Sequence, residues 1–174
     1  METILFQLAL IILPAGAVLL TAVFFMRRAA ERELRAARID MKKERQKYFL
    51  PSRAEAYQRA VLLMERIHPN SLVMRHHNPA LPAMAMQSKL LDAIREEYEH
   101  NIAQQLFISP TSWEMVSKSK EETIKIINLA GQQMDQTALA TDLAAKIFEI
   151  VAEVGTLPTE ITVQQLKKEF QELF

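Results

Sequence analysis

The 174 residues carry 21 Lys+Arg against 21 Asp+Glu, a formal net charge of +0, with 49% hydrophobic content, which suits one modest domain and an apolar segment beside it. No cysteine occurs, so disulfides, thiolate metal sites and cysteine nucleophiles are excluded; the three scattered glycines, Gly16, Gly131 and Gly155, exclude a phosphate-cradling loop or a dinucleotide fingerprint. The neutrality hides an asymmetry: residues 27–47 hold nine basic and four acidic side chains, residues 48–174 twelve basic and sixteen acidic. A basic collar on a mildly acidic domain is a poor nucleic-acid binder, so no such partner is expected.

Residues 3–26, TILFQLALIILPAGAVLLTAVFFM, lack any charge. At 1.5 Å per residue such a run has the length of a transmembrane helix, and it lacks the basic start and small-residue cleavage site of a signal peptide. Phe24 and Phe25 then read as interfacial anchors beside Arg27 and Arg28. The positive collar predicts an amino terminus outside and residues 27–174 inside, which makes the chain a single-pass inner-membrane protein with a cytoplasmic domain and the bilayer as one partner.

Residues 27–49 contain no Pro or Gly and predict a helical continuation, with Ala30, Leu34, Ala37, Met41 and Tyr48 at heptad-like spacing and Glu44 interrupting. This reads as a charged stalk lying loosely on its own domain. A short coiled coil and a lipid-surface contact are the alternatives. Pro51 predicts a break, followed by an all-α domain over residues 50–174. Its first helix runs to about Ile67 on Tyr57, Ala60, Leu63 and Met64, and HPNSLVMRHHNPALP, residues 68–82, reads as a loop. The next helix runs from Pro82 or Ala83 to Phe107, with Met86, Leu90, Ile94, Tyr98, Ile102 and Leu106 on its buried stripe. Ser109-Pro110 starts a helix that carries Trp113, Val116, Ile124, Ile127 and Leu129 and ends near Gly131. One from about Thr137 to Val154 presents Leu139, Leu143, Ile147 and Ile150 and is capped by Gly155. Thr162-Val-Gln-Gln165 has capping-box spacing and opens a last helix on Leu166, Phe170 and Leu173.

LPSRAEAYQRAVLLMERI (residues 50–67), EYEHNIAQQLF (97–107) and ISPTSWEMVSKSKEETIKIINLA (108–130) together resemble a family of uncharacterised bacterial membrane-anchored proteins. The resemblance implies one amino-terminal anchor and one helical domain. It brings no activity, cofactor or catalytic residue.

Two Glu-x-x-His pairs, Glu65/His68 and Glu97/His100, are the spacing that di-metal carboxylate bundles use, with Glu122 and Glu149 as further carboxylates. His68 precedes Pro69 at a helix end, and Glu97 and His100 lie toward the polar border of their helix, so a structural reading is preferred and no metal or cofactor is expected. Met74, His76 and His77, with Met84 and Met86, offer soft ligands for copper(I), but a thiolate-free set favours methionine as packing. With no recognisable catalytic equipment, the expected function is a membrane-anchored interaction, scaffolding or assembly module that binds a protein partner or itself. Phe107, Ile108 and Trp113 and the loop from Asn70 to Pro82 are its candidate partner surface, and a membrane-tethered di-metal enzyme is the alternative.

Overall fold

In a computed structural model that describes residues 2–172, without the side chains of 2–15, 17, 18 and 46, the chain is all-α, as its sequence predicts. The helices are α1 (Glu2–Ile67), α2 (Pro69–His76), α3 (Ala83–Asn101), α4 (Pro110–Gln132), α5 (Ala140–Val154) and α6 (Pro158–Gln171), with a 3-10 turn at Ile102–Leu106. No strand occurs among the described residues; one isolated antiparallel bridge joins Pro82 to Leu139. The chain divides into two compact units, Met1–Phe49 and Leu50–Phe174.

In the first unit every described side chain from Leu19 to Phe49 is exposed. Phe24 meets Phe25 edge-on at 6.0 Å between ring centroids, and the Arg28 guanidinium stands over the Phe24 ring at 5.5 Å. Glu31 and Arg35 pair across one turn at 4.0 Å. The expected membrane span is corrected here: among the described residues no helix is long and apolar enough to cross a membrane. A crossing helix needs about 20 consecutive apolar residues for a hydrocarbon core of roughly 30 Å. The side chains of 3–15, 17 and 18 lie outside the described ones. A single-pass inner-membrane placement, with the amino terminus outside and the domain cytoplasmic, is overturned by that finding.

Pro51 does not break α1. It deletes one backbone donor, and the side chains around it, Tyr48, Phe49 and Ser52, are exposed, so water can satisfy the carbonyl left without a partner. Beyond it Ala56, Ala60, Leu63, Met64 and Ile67 are fully buried and form one side of the core. The expected loop 68–82 holds α2, because Pro69 occupies the first helical turn, where its missing N–H costs nothing, while Leu72 and Val73 are drawn into the core.

α3 buries Ala83, Met86, Leu90 and Ile94. It ends at Asn101, earlier than its periodicity predicts, and the chain tightens into the 3-10 turn, which leaves Ile102 and Leu106 exposed instead of buried. α4 starts as expected: the Ser109 hydroxyl oxygen accepts from the Ser112 backbone N–H at 3.2 Å, and Pro110 follows. Gly131, near its end, sits where a methyl would run into the Gln87 carboxamide, which donates to Asn128 at 3.0 Å. α4 lies against α3, α5 and α6.

α5 begins three residues later than predicted, with the Asp142 carboxylate accepting from the Leu139 backbone N–H at 2.8 Å and the Leu139 side chain half exposed. Gly155 ends it at a positive φ of 74°, a conformation that favours glycine. α6 begins four residues before Thr162, where Pro158 leads and the Glu160 carboxylate accepts from Leu157 N–H at 3.2 Å. Thr162 is instead buried, its hydroxyl 2.8 Å from that of Ser119, which pins α6 to α4. Leu173 lies outside the described residues. The starts of α3 and α5 are tied by the bridge: Ala83 N–H donates to the Ala138 carbonyl and Ala140 N–H to that of Leu81, both at 2.9 Å.

Adjacent leucines on α1 test this packing. Leu63, at 0% exposure, should lose about 2–5 kcal/mol of stability as Leu63→Ala, whereas Leu62→Ala, at 56%, should stay within about 0.5 kcal/mol in urea unfolding.

Candidate functional site

The helix face next to those leucines opens into a groove. Tyr57, Val61 and Leu62 of α1 face Leu166 and Phe170 of α6 across a space of about 360 Å³, with Gln58, Glu65 and Lys167 around it. The walls are apolar because both helices point hydrocarbon toward the seam they share, yet Leu62 remains 56% exposed and Phe170 half-buried. The Tyr57 and Phe170 rings stand 5.7 Å apart at 48° and floor one end.

Behind that floor lies a polar cluster. The Glu169 carboxylate accepts from the Ser109 hydroxyl at 2.9 Å and, more closely, from the Ser112 hydroxyl, so the first turn of α4 is fastened to the end of α6. Burial pushes the Glu169 carboxyl up, but hydroxyl donation from Ser112 and Ser109, with the Tyr57 hydroxyl close by, outweighs it and holds the group below the ordinary carboxylate range. The Tyr57 hydroxyl is buried and approaches Glu169 without an aligned hydrogen bond. Burial, then the neighbouring carboxylate, push this phenol from 10.0 up to about 12. Arg53 closes the cluster, its Nε–H donating to the Phe107 carbonyl at 3.3 Å.

The expected partner surface at Phe107, Ile108 and Trp113 is placed differently. Ile108 and Trp113 are 5% and 9% exposed, inside the core, and Phe107 is half-buried. Trp113 stacks at 5.8 Å on Tyr98, whose ring also carries the Lys120 ammonium at 4.4 Å. These aromatics hold the α3–α4 corner together, and a further apolar surface stands open at the α1–α6 groove. Exposed apolar residues at helical spacing next to Tyr57 were the sequence signal for it; the α6 wall came from tertiary packing alone.

The two Glu-x-x-His pairs do not converge. Glu97 is engaged by the Arg66 guanidinium through Nε and a terminal nitrogen, with Arg75 at 3.9 Å. His68 stands 3.4 Å from Glu160, while Glu65 and His100 are exposed. Glu122 pairs with Lys125 at 2.6 Å and Glu149 with Lys146 at 3.0 Å. Among the described residues no group of three or more His, Cys, Asp or Glu could hold a metal ion. The copper set is also scattered: Met74 and Met84 are exposed, Met86 is fully buried, His77 is exposed, and His76 accepts from Arg75 at 3.2 Å.

A second cleft of about 550 Å³ contains the His68–Glu160 pair, with Asn70, Met74, Phe148 and Gly155 among its walls. No Ser, Thr, Cys or Lys is among its walls.

A family of unknown function (DUF7935) matches residues 3–173, nearly the whole chain. The match carries no statement of bacterial origin or of a membrane anchor. No curated protein and no solved structure matches the chain.

The Glu169 cluster has a pH signature. A carboxyl held low in the folded state stabilises it above the ordinary carboxylate range and loses that contribution as pH falls through the lowered value. The wild-type Tm should therefore drop more steeply below about pH 4.5 than that of Glu169→Gln, in thermal melts between pH 3 and 7. The raised phenol acts at the other extreme: its contribution is complete below pH 10 and disappears as pH rises through about 12.

Proposed function

We propose that this chain, which belongs to the family of unknown function (DUF7935), is a helical interaction module whose α1–α6 groove receives the apolar face of a partner protein's helix. One observation carries the reading: an apolar groove stands open between two helices with Leu62 exposed at its edge, while Tyr57, Leu63, Met64 and Ile67 of α1 are buried. Covering such a strip removes hydrocarbon from water, which is how grooves of this kind select amphipathic helices with side chains three and four apart. Glu65 and Lys167 at the margin give charges of both signs that set the orientation of the bound helix. Burial of Ile108 and Trp113 supports moving the partner surface from the α3–α4 corner to this groove. No observation favours the di-metal alternative.

The test places a benzophenone side chain at position 62 of the full chain and, as control, at Lys118, which is exposed on α4. Irradiation in cells should give a discrete adduct from position 62 alone, mapped by mass spectrometry to a partner segment with apolar residues at three- and four-residue spacing. With the benzophenone moved to Lys167 on the groove's other margin, Leu62→Asp should abolish capture while folding stability stays within about 0.5 kcal/mol. Equal labelling from both positions, or none from position 62, removes the reading.

A further inference from the structure

The clamp on Glu97 leaves positive charge unanswered. Arg66 at the end of α1 and Arg75 at the end of α2 meet at this one carboxylate, and Lys89 on α3 acts with them on the neighbouring His76. Arg66 takes Glu97 Oε1 closely with both Nε and a terminal nitrogen. Arg75 comes second, 3.9 Å from the same oxygen, an ion-pair distance too long for a hydrogen bond. Its Nε–H is spent on the His76 ring nitrogen at 3.2 Å. The two terminal nitrogens of Arg75 therefore have no hydrogen-bond acceptor among the described residues, although the side chain is only 30% exposed. Two guanidinium groups share one acid, and Glu97 itself is 17% exposed and already committed to Arg66.

We infer that Arg75, with Lys89 and His76, forms an oxyanion site for a phosphate group, which uses the planar pair of terminal guanidinium nitrogens that Glu97 leaves open. A guanidinium presents parallel N–H donors that match two oxygens of one phosphate, and an ammonium adds a point charge to a third. Glu97 is a positioning residue: it holds Arg66 and draws Arg75 inward, so the second guanidinium is aimed before any anion arrives. The local field agrees with this geometry. Burial first, then Arg75, Lys89 and Arg66, push the His76 imidazole below its ordinary value, and Glu97 only partly opposes them. Arg75 is lowered too, by burial and by Arg66. An excess of like charge in a half-buried setting is relieved by a dianion.

The site lies apart from the α1–α6 groove, and its test does not pass through the groove. His76 is one of four histidines, so its ring proton can be followed by NMR in the full-length chain, assigned with His76→Gln. Titration with inorganic phosphate at pH 7 should move this resonance saturably and raise the His76 pKa, while sodium chloride at matched ionic strength leaves both unchanged. Free phosphoserine is the second ligand: tighter binding than phosphate assigns the group to a phosphate ester, and equal binding assigns it to the free ion. Arg75→Gln should weaken either at least about tenfold, while Arg95→Gln, whose side chain pairs with Asp92 at 3.0 Å elsewhere on α3, leaves binding intact. If chloride reproduces the shift, or if Arg75→Gln binds phosphate as the wild type does, the inference is overturned.

Discussion

Ala60, Leu63, Met64 and Ile67 lie on one side of α1 with no exposed surface, and every later helix is placed by the need to enclose that side. With no cysteine to staple the fold, burial of hydrocarbon has to hold the domain after residue 50 together. α2 exists because Leu72 and Val73 close one end of this core. α3 and α5 supply facing stripes of Met86, Leu90 and Ile94 and of Leu143, Ile147 and Ile150. α4 runs between them and α6, and so its polar fastenings matter: Ser119 to Thr162 at its middle, Ser109 and Ser112 to Glu169 at its start. Hydrocarbon sets which faces meet, and these buried hydroxyls fix how far each helix slides along its neighbour.

Both proposed sites follow from where this packing runs out. α6 is 14 residues long and covers only part of α1, so the stripe beyond Tyr57 is left as a groove. At the opposite side of the sequence logic, α1 and α2 both end near Glu97 and bring their terminal cations with them, a common placement because basic side chains complement the negative end of a helix. Two such ends meeting at one carboxylate produce more positive charge than the helices themselves can absorb.

What could be read from the sequence was mainly what local chemistry dictates. Ser109-Pro110 started a helix and Gly155 ended one because a cap and a positive φ need only their own neighbours. The stripe Met86, Leu90, Ile94 held because its period matches a helix that is flat against the core. Long-range competition defeated the rest. Pro51 was tolerated because water reaches the backbone there; the 3-10 turn at Ile102 rotated Leu106 out of its stripe; Thr162, a good cap in isolation, was worth more buried against Ser119. The apolar run 3–26 suggested a span from length and composition alone, and no described helix meets that requirement. At the sites, the Glu-x-x-His spacing was visible but its partners were not: Arg66 lies 31 residues from Glu97. The Glu169 cluster draws on residues 57 to 60 positions apart, which no periodicity could announce.

The short bridge between the starts of α3 and α5 carries a consequence for motion. Ala83 and Ala140 are the first residues of their helices, and each gives its amide to the loop that leads into the other. Neither helix can fray from its amino-terminal end without breaking the other's anchor, so the two ends behave as one cooperative opening unit. Slow amide exchange in that region would then report a joint event of both segments, while the exposed 3-10 turn at the far end of α3 opens independently.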